Sequence, residues 1–437
     1  MGVSKTADGL QEAIPEDMRS LFQRLRSDAG GSIPMIFAAA LVPMLGLMGG
    51  AIDYGRSVVD KTVLDSALDN AAIVAAKAAQ DADAKGLQSA EMAVYAQTMA
   101  LKAFNGTPKL PANTTPVIRV TVNNRSVTVT ADYTSKTTTT LLKVVGFDRI
   151  DLSGHAESVV DLSPMVDIYL LIDVSGSMAL GATQTDIDRL NAAFGCAFAC
   201  HDGVKVKNSI YDAYEWAVLN GITLRTQEIN KGIIDFVNWL TTQASASKRI
   251  RIASYSFSND LTKLVNTTST LSLAVTNLPQ APNTSNEYAG ATHFKEIMPG
   301  FASEVGKAGD GKTSPKKLVI IATDGVQDPS RAWIWDVPKR AEVAPFAPAS
   351  CRLIDSSVSV SVLYAPYLKL SYDWGYQATL GAPSQIWGGG TRFDDIVPQL
   401  TRCASTPDLF VNAATTPSIG SAFVSIFQKF TQIRLAR

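Results

Sequence analysis

The sequence predicts an α/β protein: a doubly wound, mainly parallel sheet flanked by helices, preceded by a transmembrane helix and a small α/β unit. Three observations predict it. The twenty residues Ile33 to Ile52, IPMIFAAALVPMLGLMGGAI, carry no charge. A stretch around Asn123-Asn124-Arg125 alternates apolar and polar residues. From Met165 onward, short apolar runs alternate with amphipathic ones, the rhythm of strands and covering helices.

The apolar segment comes first. As a helix, twenty residues span about 30 Å, the thickness of a hydrocarbon core. Pro34 falls in the first turn, where its missing N–H costs little. Pro43 falls mid-helix, where a kink is expected and membrane helices tolerate it. Arg19, Arg24 and Arg26 precede the segment; Asp53, Arg56, Asp60 and Lys61 follow it. That bias orients the N-terminus (1–32) toward the cytoplasm and exports the bulk of the chain. A signal peptide would have a shorter apolar core and a small-residue cleavage site, and no clear A-x-A site is present. The segment 33–53 is therefore read as an uncleaved single-pass anchor rather than a signal or a buried core helix.

The next unit covers 54–162. RSVVDKTVLDSALDNAAIVAAKAA has helical periodicity, with Val59, Val63, Ala67, Ala71 and Ala75 on one stripe, so the membrane helix is expected to continue outward. A second helix is expected from Ser89 to Phe104. VIRVTVNNRSVTVTADYTS reads as a β-rich hairpin, and IDLSGHAESVVD as a further strand. The shape resembles a pilin-like subunit; a membrane-proximal spacer fits the same pattern.

The remainder, 163–437, is expected to be one domain with insertions. VDIYLLID is apolar on both alternations, the mark of a strand buried on both faces. LRTQEINKGIIDFVNWL reads as an amphipathic helix, RIRIASYSF, KKLVIIATD and SVSVSVLYA as strands, and SIGSAFVSIFQKFTQI as the closing helix. Composition agrees with a sizeable core: 46% of the 437 residues are apolar. Lys+Arg number 39 against Asp+Glu 40, so no basic surplus points to nucleic acid.

Chemistry concentrates at strand ends, where ligands bind in open α/β sheets. Asp173, Ser175 and Ser177 follow the first strand of this domain, and Gly176 permits a tight turn between the hydroxyls. Thr292 stands in AGATHF, and Asp324 ends the strand KKLVIIATD. A carboxylate and hydroxyls are hard oxygen donors, suited to Mg2+, Mn2+ or Ca2+ rather than to zinc or copper. Taken singly, Asp173 could cap a turn and Asp324 could sit in an ordinary Asp-Gly turn. Three segments in this order favour a shared site.

Asp173-x-Ser175-x-Ser177, Thr292 in GAT and Asp324 in TDG resemble the metal-ion-dependent adhesion site of von Willebrand factor A-type domains, a likeness covering about residues 166–437. The resemblance implies that Ser175, Ser177 and Thr292 are direct or near ligands of a divalent cation, Mg2+ first and Mn2+ or Ca2+ as alternatives. It implies that Asp173 and Asp324 act mainly through water, with an open position for a partner's carboxylate. Gly-Ala-Thr here replaces Gly-Gly-Thr and leaves the hydroxyl in place. A hydrolase is the less favoured alternative: D-V-S-G-S is not G-x-S-x-G, and neither His155 nor His293 has a clear claim to be a base. No enzymatic activity is expected.

The four cysteines are Cys196, Cys200, Cys351 and Cys403, and export makes disulfides expected. Cys196-x3-Cys200-His201 is one residue too long for haem attachment and short of zinc ligands, so a local bridge is expected. Cys351 and Cys403 can pair if the strands that follow them are neighbours; other pairings stay open. Trp333, Trp335, Trp374, Tyr376 and Trp387 lie in irregular excursions, either as contact residues or packed onto the domain.

The order of parts also resembles the TadG-like proteins of the tight-adherence (Tad) pilus system, with a TadE/TadG-like N-terminal region. That implies an inner-membrane protein with a periplasmic body, and partners among pilus-assembly proteins or pilin; a homo-oligomer is compatible. Five residues after Gly31 stands Ile36 rather than glutamate, so processing as a pilin is not expected. A surface adhesin using the same site is the alternative.

Overall fold

The computed structural model describes residues 32–194, 210–211, 213–243, 246–280, 290–328, 331–386 and 389–432. Cys196, Cys200, His201 and Trp387 fall outside them. The described chain divides into two compact units. One holds the residues up to Ala78 with Ala93–Thr121 and Thr128–Val160; the other holds Ala79–Met92, Val122–Val127 and the chain from Asp161.

The N-terminal part begins with α1 (Ser32–Ala84), a single helix that continues through Pro43. It is the one described helix long and apolar enough to cross a membrane, with a mean hydropathy of 2.1 over its most apolar window. Next come α2 (Ser89–Asn105) and a three-stranded sheet, β1 (Thr115–Asn123), β2 (Ser126–Thr138) and β3 (Arg149–Asp161), in that order. Asn124 and Arg125 both take positive φ, 45° and 58°, as a two-residue hairpin turn requires. The predicted helical stripe holds from Val63 onward and fails at Val59: Ala67, Ala71 and Ala75 are buried together with Leu64 and Leu68, Val63 is half-buried, and Val59 points outward. Asp60 and Asp65 meet the sheet instead, accepting from Thr137 Oγ1 at 2.8 Å and Tyr133 Oη at 2.7 Å. Small alanines let the sheet approach, and the two aspartates satisfy polar groups at its margin.

The second unit is a three-layer α/β/α domain. Its sheet has the order β11-β10-β7-β4-β5-β6, formed by β4 (Val166–Asp173), β5 (Ile250–Phe257), β6 (Leu261–Thr268), β7 (Lys316–Thr323), β10 (Ser359–Tyr364) and β11 (Phe410–Asn412). Every pairing is parallel except β5 with β6. The edge strand β6 was not marked in the sequence; its mixed exposure weakens the alternation. Between β7 and β10, β8 (Val326–Gln327) and β9 (Ala344–Pro345) form a short ribbon.

All eight residues of β4 are buried, as its apolar run predicts. Ile168, Leu170 and Ile172 pack against α3 (Arg225–Thr242) and α6 (Ile419–Gln432); Tyr169 and Leu171 pack against α4 (Phe294–Val305) and α5 (Arg392–Cys403). Chain direction reverses between β4 and β7: the chain winds outward through β5 and β6, then returns to the other side of β4. Their carboxyl ends thus form a topological switch point, the crevice where doubly wound sheets hold ligands.

Cys351 and Cys403 form a disulfide with Cα atoms 5.4 Å apart. The strands beyond them are parallel neighbours, Val362 opposite Phe410, which meets the condition set by the sequence. The aromatics divide. Trp333 and Tyr376 pack into the core, whereas Trp335 and Trp374 stay exposed.

Candidate metal centre

Three segments meet at the switch point. β4 ends on Asp173, and the chain turns through a single 3-10 turn, Gly176–Ala179. Gly176 N–H donates to Gly290 O at 3.0 Å, tying this turn to the segment that carries Thr292. Thr292 N–H donates to Asp328 O at 2.7 Å, tying that segment to the loop after β7. Asp324 begins that loop. Gly325 follows at φ +80°, where a Cβ would also stand 2.6 Å from Leu400 Cδ1. The glycine is therefore required both by the turn and by the closeness of α5.

Asp173, Ser175 and Asp324 are fully buried, and Thr292 nearly so. Asp173 Oδ1 accepts from Ser175 N at 2.9 Å and Oδ2 from Thr323 Oγ1 at 2.6 Å. The Ser175 and Ser177 hydroxyl oxygens lie 3.2 Å apart. Asp324 Oδ1 accepts from Val326 N at 3.2 Å, and Oδ2 from Arg225 Nη1 at 3.3 Å. Burial pushes the Asp173 carboxyl above the usual carboxylate range, and the charge of Asp324 pushes the same way. Burial also raises Asp324, opposed first by the Arg225 guanidinium and then by a hydrogen bond from Ser177.

Arg225 and Thr323 escaped the sequence reading. Arg225 is 4% exposed, is the first residue of α3, donates also to Ser177 O at 3.3 Å, and lies with Cζ 4.8 Å from the centre of the Tyr367 ring. A signal existed, since a cation opening a helix opposes the helix dipole and asks for a local reason. Its reason is Asp324. Thr323 carried no such signal, because a threonine at a strand end is common.

The donor set can be tested for a hard cation. Among the described residues, no group of three or more His, Cys, Asp or Glu could hold a metal, so any site must mix carboxylates with hydroxyls. Asp173, Ser175, Ser177 and Asp324 form such a mixture, with Thr292 brought alongside by the backbone links. Two buried carboxylates face one buried guanidinium, leaving one negative charge in excess. Such an excess calls for a bound cation or a proton. The residues therefore fit a divalent ion of the Mg2+ class. His293 Nδ1 lies 3.1 Å from Asn259 O, and His155 Nδ1 2.8 Å from Asp132 Oδ1; neither pairing is the serine–base couple of a hydrolase.

Comparison with known proteins adds three findings. Residues 31–80 match the family model "Tad: Putative Flp pilus-assembly TadE/G-like". The chain joins an N-terminal region that matches this TadE/G-like model to a doubly wound, mainly parallel α/β domain. No curated protein matches it in sequence. Similar solved structures include an aerotolerance-related membrane protein from Bacteroides fragilis (14% identity, 61% of this chain and 99% of that one, TM-score 0.33). They include the PilB minor pilin from Streptococcus sanguinis (10%, 74% and 80%, 0.37). A third is the vWF domain of the type V pili tip protein Mfa5 from Porphyromonas gingivalis (11%, 63% and 98%, 0.32). The domain's own strand order and switch point carry the fold assignment.

Proposed function

We propose that this chain is a membrane-anchored component of Tad/Flp-type pilus assembly. Residues 33–53 hold it in the inner membrane with the N-terminus in the cytoplasm. The von Willebrand factor A-like domain (163–437) binds a carboxylate of a pilus-assembly protein or pilin in the periplasm. Asp173, Ser175, Ser177, Thr292 and Asp324 hold a divalent cation for that contact. A bound cation would supply the Lewis-acidic position for the partner's carboxylate. The residues do the rest: Thr323 and the Ser175 N–H orient Asp173, Arg225 and Ser177 orient Asp324, and burial excludes competing water.

One observation carries the reading: three segments distant in sequence deliver hard oxygen donors with an excess negative charge to one switch point. The test is Asp173→Ala. Titration with Mn2+, followed by its electron paramagnetic resonance signal, should show binding lost. Pilus output should fall while the protein remains in the membrane fraction. Normal piliation by a variant proven free of metal would overturn the adhesion mechanism.

A further inference from the structure

The loop between β2 and β3 carries an apolar sequence, Leu141-Leu142-Lys143-Val144-Val145-Gly146-Phe147, that the functions above leave unexplained. Its apolar side chains are not buried. Val144 is 81% exposed and Phe147 64%, with Leu141 and Val145 also exposed.

The loop is seated against one part of α1. A Cβ built on Gly49 would lie 2.5 Å from Leu141 Cβ; one on Gly46 would lie 3.3 Å from Val145 Cγ1, and one on Gly50 3.4 Å from Leu142 Cδ2. The glycines at 46, 49 and 50 thus make the groove that receives it. Asp53 fixes the same seat. Its carboxylate, 2% exposed, accepts from the backbone N–H groups of Thr140, Leu141 and Leu142 at 2.8–3.1 Å. Arg56 Nη1 adds a bond to Thr140 Oγ1 at 3.2 Å.

The position of this seat sets the loop's surroundings. Gly46, Gly49 and Gly50 belong to the uncharged run Ile33–Ile52, whose other large side chains, among them Leu45, Leu47, Met48 and Ile52, are exposed. At 1.5 Å per residue, Gly46 lies about 9 Å inside the end of that run. A loop clamped to Gly46–Asp53 therefore sits at the depth of the outer hydrocarbon boundary whenever the helix spans a bilayer. Tyr54, exposed next to the clamp, suits the interface itself. Lys143 can extend its ammonium to the headgroups.

We propose that Leu141–Phe147 is a second membrane contact, a short apolar wedge that dips into the periplasm-facing leaflet beside the anchor. With the wedge seated, the bilayer is gripped at two points of the small unit rather than by one helix free to rotate. The proposal rests on the anchor reading of residues 33–53.

The test uses the full chain in phosphatidylethanolamine–phosphatidylglycerol liposomes. The photo-crosslinking amino acid benzoyl-phenylalanine is placed singly at positions 44, 144, 147 and 159, and adducts are identified by mass spectrometry. Position 44 reports the anchor; position 159, an exposed valine on β3, is the control outside the wedge. Lipid adducts at 44, 144 and 147 but not at 159 support the wedge. Adducts at 44 with none at 144 and 147, or adducts there to protein instead of lipid, overturn it. Absence of adducts at all four sites overturns the anchor reading as well. Gly49→Leu, which fills the groove, should lose the adducts at 144 and 147 while keeping the one at 44.

Discussion

Arg225→Met is the most informative single change at the switch point. It removes the charge and its bonds to Asp324 and Ser177 O while keeping an unbranched apolar stem near Tyr367. Taking one partner from a buried ion pair costs about 3–5 kcal/mol, because the other charge stays behind. Here Asp173 stands beside it, so two buried carboxylates then lack a cationic partner. At about 2–4 °C per kcal/mol for a domain of this size, the unfolding midpoint in chelator should fall by about 6–20 °C. A divalent ion should then restore more stability to the variant than it adds to the wild type, since the site's excess charge has grown from one to two. An ion at one hundred times its dissociation constant contributes about 2.7 kcal/mol. Differential scanning fluorimetry in EDTA and in Mg2+ or Mn2+ measures both quantities. Equal midpoints in EDTA, or a metal-induced rise no larger in the variant, would refute the charge argument.

Other consequences follow from the same contacts. Thr323→Val keeps shape but removes the donor to Asp173 Oδ2, and should cost about 1–3 kcal/mol in metal-free protein, read by denaturant unfolding. Replacing Cys351 and Cys403 together with alanine opens a cross-link of sequence separation 52 and should cost about 4 kcal/mol; an unchanged midpoint would mean that the unfolded domain is not constrained by the bridge. Protonation gives a further test. Because the folded state raises the Asp173 carboxyl, it binds a proton more tightly than the unfolded chain does, so this group's contribution declines as pH rises above about 4. The midpoint of wild type minus that of Asp173→Asn, in chelator, should therefore fall between pH 4 and neutrality, and a rise would show that the carboxylate is compensated when folded.

Much of the molecule was legible residue by residue. Twenty uncharged residues announce a helix of membrane length, since length and hydropathy are properties of the segment alone. VDIYLLID declares a strand buried on both faces, and Asn124-Arg125 a turn between two alternating runs. The spacing of Asp173, Ser175 and Ser177 marked a cluster of oxygen donors, because residues two apart on one turn share a neighbourhood whatever else the chain does. The helical stripe after Arg56 was legible at Ala67, Ala71 and Ala75 but not at Val59, because the packing partner decides where the buried face begins. Which irregular aromatics turn inward was not readable, because burial depends on neighbours far along the chain. Trp333 and Tyr376 pack, while Trp335 and Trp374, only two residues from each, do not.

The tertiary structure alone decided the rest. Asp173 and Asp324 are separated by 151 positions in sequence, yet parallel pairing of β4 with β7 brings their strand ends together. Arg225 becomes part of the site only because α3 begins at that rim, and Leu141–Phe147 meets Gly46–Asp53 only because the small sheet folds back along α1. Periodicity and composition report what a segment would bury. Which segments then share a buried charge or a groove is set by topology, through contacts whose partners lie far apart in the sequence.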